Sequence, residues 1–237
     1  MAERTIENFE FTTTATNRPK ILEETYKSFT NNIKDVDFGK SVLYINIDPV
    51  PEGERKEAIE VAKKYFGRVV EKLPDVPNFT NAVKWCWSQP QGEFFFHLED
   101  DWTLRSKIMI KELKDKLSCM IENSKRYRIK SRMLDKYVAV NLRAYDFIND
   151  GRVCLSPGLF LTSWAKKAAE ILDPQHNPER QMRRGFGIGK EFLIESRALH
   201  HPHNKNNIII NDIGRDWLEK SNYRKKDGMA FSFWEKV

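Results

Sequence analysis

EFFFHLEDDWTL, residues 93–104, is the stretch on which the reading of the fold turns. Its apolar run is continuous rather than alternating, as expected of a strand covered on both faces in a parallel sheet. The run ends abruptly in Glu99, Asp100 and Asp101. Carboxylates crowded at a strand end repel one another and are costly unless a cation or hydrogen-bond donors meet them. Oxygen ligands at this spacing suit Mg2+ or Mn2+, which take one or two carboxylates and leave positions for phosphates. The other reading is that these acids form the favourable N-terminus of a helix beginning near Leu104.

Outward from that strand, elements alternate. Residues 8–16 read as a Thr-rich strand and 18–33 as a helix, with Pro19 in its first turn and Leu22, Tyr26, Phe29 and Ile33 in one apolar stripe. A strand at 41–48 follows, then a helix at 54–66 with Ala58, Val61, Ala62, Tyr65 and Phe66 on one face. A short strand at 67–73 and a helix at 77–89, carrying Phe79, Ala82, Val83 and Cys86, lead into the fourth strand at 92–98. Strands alternating with crossover helices predict an α/β fold with a mainly parallel, Rossmann-like sheet and helices on both faces. Ligands of such sheets bind at the carboxyl ends of the strands, which gathers the loop 13–18, Asp48 and the acids 99–101 around one crevice.

With 237 residues, 40% of them hydrophobic, the chain can bury the core of one large domain. It contains no apolar run of the roughly 18–20 residues that a membrane helix needs, and residues 1–11 lack the plan of a signal peptide. The expected location is the cytoplasm, a host's cytoplasm if the protein is viral. Cys86, Cys119 and Cys154, an odd count within apolar segments and without zinc spacing, read as reduced core thiols. Residues 105–136 hold eleven Lys or Arg against four Asp or Glu, more than the whole chain's excess of six. Within them Lys125, Arg126, Tyr127, Arg128, Lys130 and Arg132 interleave charge with an aromatic ring, as grooves for polyanions do; the alternative is a solvated helical face.

Taken in order, TNRPKILEETYKSF (16–29), the strand closing in NIDP (46–49), the helix NFTNAVKWCW (78–87) and EFFFHLEDDW (93–102) resemble the nucleotide-sugar half of a GT-A glycosyltransferase of the family 2 kind. Glu99, Asp100 and Asp101 stand where that family carries its DxD-type motif. The resemblance implies one GT-A domain over 1–237, with 1–105 binding a nucleoside diphosphate sugar and 106–237 binding the acceptor. It implies hexosyl or pentosyl transfer to a hydroxyl, with Mn2+ or Mg2+ bridging the diphosphate. By position it makes Asp101 the direct metal ligand and a catalytic group, Asp100 a contact to ribose or sugar, and Glu99 their support. Thr13, Thr14 and Arg18 would line the nucleotide pocket, with Asp48 near the base and Asn81 near the ribose or diphosphate.

GRVCLSPGLFLTSWAKKAAEIL (151–172) is similar to the strand-turn-strand and helix of the acceptor side, and NPERQMR (177–183) to the segment that bears an acceptor-side acid. Glu179 is then the candidate general base, with Asp146, Asp150 and Asp173 as rivals. IIINDIGRDWLEKSNYRKK (208–226) resembles a late histidine-x-glycine element, and puts Asp212 in the histidine's place as a further metal ligand.

A departing diphosphate needs positive charge where its own charge grows. Arg183, Arg184 and Lys190 flank the glycines of RQMRRGFGIGK (180–190), a candidate phosphate-covering lid or else a basic surface turn. Trp102 is placed to stack on a base or sugar, whereas Trp85, Trp87 and His97 read as core, and HHPHNK (200–205) as a polar loop. Phage enzymes of this kind glycosylate hydroxylated bases in DNA, which fits the basic stretch; an anionic saccharide, a cell-surface glycan or a membrane surface fits it too. A sugar nucleotidyltransferase would want a glycine-rich loop after the first strand, and TTTATNRPK (12–20) has no glycine; a non-catalytic polyanion-binding protein would not need the acids.

Overall fold

The computed structural model describes residues 5–50, 53–127, 136–143, 151–184, 189–201, 206–220, 223–227 and 232–236. Seven strands form the central sheet: β1 (Glu10–Thr16), β2 (Val42–Asp48), β3 (Arg68–Lys72), β4 (Phe94–Glu99), β6 (Lys136–Asn141), β7 (Gly158–Leu161) and β8 (Ser196–His200). Their order across the sheet is β3-β2-β1-β4-β7-β6-β8. All pairs are parallel except those made by β7, which runs against β4 and β6. The second half of the chain thus adds three strands to the sheet that the first half begins. The short strands β5 (Trp102–Leu104) and β9 (Ile210–Asp212) pair separately, as do β10 (Tyr223–Asp227) and β11 (Ser232–Lys236).

Helices α1 (Pro19–Asn32), α2 (Arg55–Tyr65) and α3 (Phe79–Ser88) join the first four strands, and α4 (Ile110–Tyr127), α5 (Thr162–Ile171), α6 (Pro178–Arg184), α7 (Lys190–Ile194) and α8 (Gly214–Lys220) follow. The triple phenylalanine of β4 serves two layers, because neighbouring strand side chains face opposite ways. Phe94, Phe96 and Leu98 join Phe11, Leu22, Tyr26, Phe29 and Leu113 in one core, while Phe95 joins Trp87, Phe160 and Trp164 in the other. Burying each such ring fully contributes about 1.5–3 kcal/mol, which is why this run forms the strand at the sheet's centre. Pro19 opens α1, and the Asn78 side chain accepts from Asn81 N to cap α3.

Several expectations are corrected. No helix begins near Leu104: residues 102–104 pair with β9, and α4 starts at Ile110, where Asp35 accepts from the backbone nitrogens of Ile110 and Lys111 at 2.8 Å each. Residues 151–157 are not a strand, since Asn141 Nδ2 donates to Cys154 O and Ser156 O and Arg152 makes only an isolated bridge to Arg197. The basic stretch is helical to Tyr127 and a strand again from Lys136. Cys86 and Cys154 are buried, but Cys119 lies on the exposed face of α4. Among the described residues no helix is long and apolar enough to cross a membrane.

Candidate functional site

The carboxyl ends of β1, β2 and β4 meet at one edge, and the acids of β4 are held there in three different ways. Asp100 is turned inward. Its Oδ2 accepts from Thr16 N at 2.8 Å and Thr16 Oγ1 at 2.9 Å, and its Oδ1 from Arg18 Nη2 at 3.0 Å. Thr25 Oγ1 in α1 donates to its carbonyl at 2.7 Å. With 7% of its side chain exposed and both oxygens engaged, Asp100, for which the resemblance implied a contact with ribose or sugar, is held by partners within the protein. Glu99 accepts at Oε2 from Trp102 Nε1 at 3.0 Å, so the polar edge of that indole is directed at the acid.

Asp101 is different, with 26% of its side chain exposed and Arg18 Nη2 at 3.4 Å. Burial, followed by the neighbouring Asp100 and Asp212, pushes its carboxyl up to about 6 against the opposing pull of Arg18. The β5–β9 pairing brings Asp212 here by setting it opposite Trp102, and Ile213 N donates to Asp101 O at 2.8 Å. Asp212 Oδ1 accepts from Gly214 N at 3.0 Å, and Arg215 Nε lies 3.5 Å from its Oδ2. The absent side chain of Gly214 makes the room: a Cβ there would lie 2.3 Å from Asp101 Oδ2.

Arg18 lies between these acids with 5% of its side chain exposed, its guanidinium carbon 5.0 Å from the centroid of the Trp217 ring in α8. Asp48 closes β2, where it accepts from Asn46 Nδ2 at 2.7 Å and Asn78 N at 3.0 Å, and burial raises its pKa. Asn17 ties the two strand ends together: Asn17 N donates to Asp48 O, and Asn17 Oδ1 accepts from Val50 N. Asn81 is exposed in the first turn of α3.

Thr13 and Thr14 do not line an open crevice. Thr13 is wholly buried with its hydroxyl towards Tyr26 beneath α1, and Thr14 is 5% exposed. Thr16, not singled out from sequence, is the threonine at the rim. Trp217 was also unforeseen as part of the site, and the GRDWLEK segment offers it no signal beyond a short helix; Gly214 was read only as the glycine of the late element, not as the residue that makes room for Asp101.

On the far side of β4, Glu179 is half-buried in the first turn of α6. Burial pushes the Cys154 thiol up to about 11, with Ser156 opposing that shift, the charge of Glu179 adding to it and that of Arg143 lowering it. The first residue of that strand, Gly158, pairs with His97 of β4. Of the rivals, Asp173 is engaged with Gln175 N and His176, and Asp146 and Asp150 lie outside the described residues. Arg183 and Arg184 end α6 and Lys190 begins α7, which packs against it. The intervening 185–188 lie outside the described residues, as do Arg128, Lys130, Arg132 and 202–205; Lys125, Arg126 and Tyr127 form the last turn of α4. His97 is the core residue expected, Trp87 is fully buried, and Lys72 Nζ stands 5.9 Å from the centroid of the Trp85 ring.

Among the described residues no group of three or more His, Cys, Asp or Glu side chains could by itself hold a metal ion. Asp101 and Asp212 nevertheless fit a hard cation of the Mg2+ or Mn2+ kind: both offer oxygen, the charge of Asp212 disfavours that of Asp101, and such ions need only one or two carboxylates when phosphates complete the shell.

No protein-family profile and no curated protein sequence matches the chain. Solved structures do match its fold. The mannosyltransferase PcManGT from Pyrobaculum calidifontis, in complex with GDP-Man and Mn2+, aligns with a TM-score of 0.54 at 11% identity, over 86% of this chain and 58% of that one. TarS 1–349 from S. aureus aligns at 0.52 with 13% identity over 90% and 64%, and a longer TarS structure at 0.50 with 11% over 92% and 38%. The chain thus spans between 38% and 64% of the length of these structures. The likeness is one of fold: the mainly parallel α/β sheet that the order of elements led us to expect, in the GT-A-like form that the family resemblance implied.

Proposed function

We propose that the protein transfers a sugar from a nucleoside diphosphate sugar to a hydroxyl acceptor with the help of Mn2+ or Mg2+. One observation carries this reading: Asp101, in the turn after β4 and beside Arg18, is brought next to Asp212 of the remote strand β9 at the ligand edge of a GT-A-like sheet. The solved mannosyltransferase that shares this fold holds GDP-Man and Mn2+.

A divalent cation bound there supplies charge stabilisation to the departing diphosphate. In this reading Asp101 and Asp212 hold it, and Asp100 stays out of the substrate, fixing the loop that carries Arg18. Asp48, oriented by Asn46 and Asn78, faces the base, and Asn81 the ribose or diphosphate. The acceptor oxygen forms a bond to the anomeric carbon, the bond from that carbon to the phosphate oxygen breaks, and Glu179 receives the hydroxyl proton. Arg183, Arg184 and Lys190 add positive charge from the acceptor side. The excess of basic residues over 105–136 supports a polyanionic acceptor, and DNA with hydroxylated bases is the acceptor we assign; its binding should then weaken steeply with salt.

The test is a thermal-shift screen of nucleotide sugars with and without Mn2+. A ligand that binds only the folded state raises Tm, by about 2.7 kcal/mol of stability at a hundredfold excess over Kd. At least one donor is expected to give an Mn2+-dependent rise; a flat response across donors overturns the reading.

Gly214→Ala is a sharper probe. The new Cβ would meet Asp101 Oδ2 at 2.3 Å and Cγ at 2.9 Å, so the carboxylate must turn away. In the first turn of a helix, alanine costs nothing in propensity relative to glycine. Mn2+-dependent donor binding should weaken by roughly tenfold or more, the scale of a misplaced metal-site group, while Tm in EDTA stays within about 2 °C of wild type. Equal donor affinity in the two proteins would mean that Asp101 does not hold the cation.

A further inference from the structure

The two bonds from Arg18 to the acids are not equivalent. Its Nη2 lies 3.0 Å from Asp100 Oδ1 but 3.4 Å from Asp101 Oδ2, and charge-assisted bonds of this kind are shortest at about 2.7–2.9 Å. Asp100 is further held by two donors of Thr16 and is almost closed to solvent. Asp212 also lies next to Asp101, since it pairs with Trp102 and the following Ile213 N donates to Asp101 O. Trp217 covers the guanidinium, and Arg18 Nε donates to Thr16 Oγ1, so the side chain is fixed at Asp100 rather than free to swing to bulk water.

We infer that Arg18 is a positioning residue that acts as the internal counter-cation of the acid cluster: it remains on Asp100 and yields Asp101 to the divalent ion when that ion arrives with a nucleoside diphosphate. The inference rests on the reading of Asp101 as a cation ligand and adds to it an order of events. With Arg18 in place, the metal-free protein already has a cation for its acids, so it does not need the ion to fold. The same charge repels an ion that comes alone, since two cations share one small carboxylate cluster. The phosphates of a nucleoside diphosphate offset that repulsion, and the ion and the diphosphate bind well only together.

Arg18→Met keeps the unbranched, apolar stem of the side chain but removes the guanidinium, with its charge and its stacking on Trp217. Tm is measured in EDTA and in Mn2+, and the affinity for Mn2+ alone by isothermal titration. Wild type should respond to Mn2+ alone by no more than about 2 °C, whereas Arg18→Met should lose about 5 °C or more in EDTA and regain at least about half of it in Mn2+. Its affinity for Mn2+ alone should rise about fivefold or more, because the repelling charge has gone. A merely structural Arg18 gives the same loss of Tm with and without Mn2+ and no gain in Mn2+ affinity, which overturns the inference while leaving the cation site intact.

Arg18→Lys, milder and expected to fold whatever Arg18→Met does, separates charge from hydrogen-bond geometry. It should stay as indifferent to Mn2+ as wild type; an Mn2+-dependent Tm in Arg18→Lys shows that the guanidinium fork rather than its charge is what matters, and overturns the counter-cation role. The underlying reading has its own control. If wild type binds no Mn2+ even with UDP or GDP present, the cation site is absent and the inference falls with it.

Discussion

Asp101→Asn is expected to lower sugar transfer by on the order of a thousandfold while leaving the metal-free protein at least as stable as wild type. The first half follows from the charge the reaction must stabilise. An amide is nearly the same size as the carboxylate but is a poor ligand for Mg2+ or Mn2+, so the position survives and the cation's anchor does not. The second half follows from the acid cluster itself. Asp101 is mostly buried beside Asp100 and Asp212, which disfavours its charge, and the single arginine contact at 3.4 Å does not offset that, since its pKa is raised to about 6. Replacing the charge removes the repulsion and leaves an oxygen that can still accept from Arg18. Turnover with an accepted donor and Tm in EDTA are the two measurements. Turnover near wild type would sink Asp101 as the cation ligand, and a clear fall in Tm would show that its charge stabilises the fold, contrary to the electrostatics of the site.

That pattern, an acid costly to the fold and placed at its ligand edge, was half legible in the sequence. The strand that delivers Asp101 could be read because a strand covered on both sides is apolar in an almost continuous run rather than in alternation, and FFFHL is. The three strands and three helices before it were legible too, each helix showing a stripe at its own period. What resisted reading depends on contacts without a period. Strands β5 and β9 are three residues each, too short to alternate, and yet their pairing is what brings Asp212 to Asp101; Asp212 was found through resemblance alone. The continuous burial that revealed the sheet also hid its internal geometry. In EFTTTAT every position but the last is buried, so nothing in the sequence tells Thr13, sealed under α1 with Tyr26, from Thr16 at the rim. Asp100 and Asp101 were likewise assigned neighbouring roles at the substrate, whereas consecutive residues beyond a strand end point different ways, and one of them is consumed in holding Arg18.

Trp87→Ala carries the largest expected cost to the fold. The indole is fully buried in α3, packed at 5.2 Å on Phe160, 5.5 Å on Trp164 and 5.8 Å on His97 between ring centroids, and it joins the sheet to both α3 and α5. Truncating such a side chain costs about 3–5 kcal/mol, which for a chain of this length is a fall in Tm on the order of 10 °C. The loss has a second signature in acid. Burial holds His97 down to about 3, well below its usual range, and its Nδ1 accepts from Trp87 Nε1 at 3.4 Å and lies 2.8 Å from Thr12 Oγ1. Between pH 6.5 and 3 the unfolded chain therefore binds a proton at this histidine that the folded chain refuses, so wild-type stability falls as pH drops through that window, by up to about 1.4 kcal/mol per pH unit. Removing the indole opens a space beside the ring that has His97 on its wall, and water entering there solvates the imidazolium and raises its pKa towards the ordinary value. The variant then has less of this stability to lose. Denaturant unfolding of both proteins from pH 7 to pH 4 should show a large difference at neutral pH that narrows in acid; a difference constant across the range would mean that the site stays dry and that His97 owes its low pKa to groups other than Trp87.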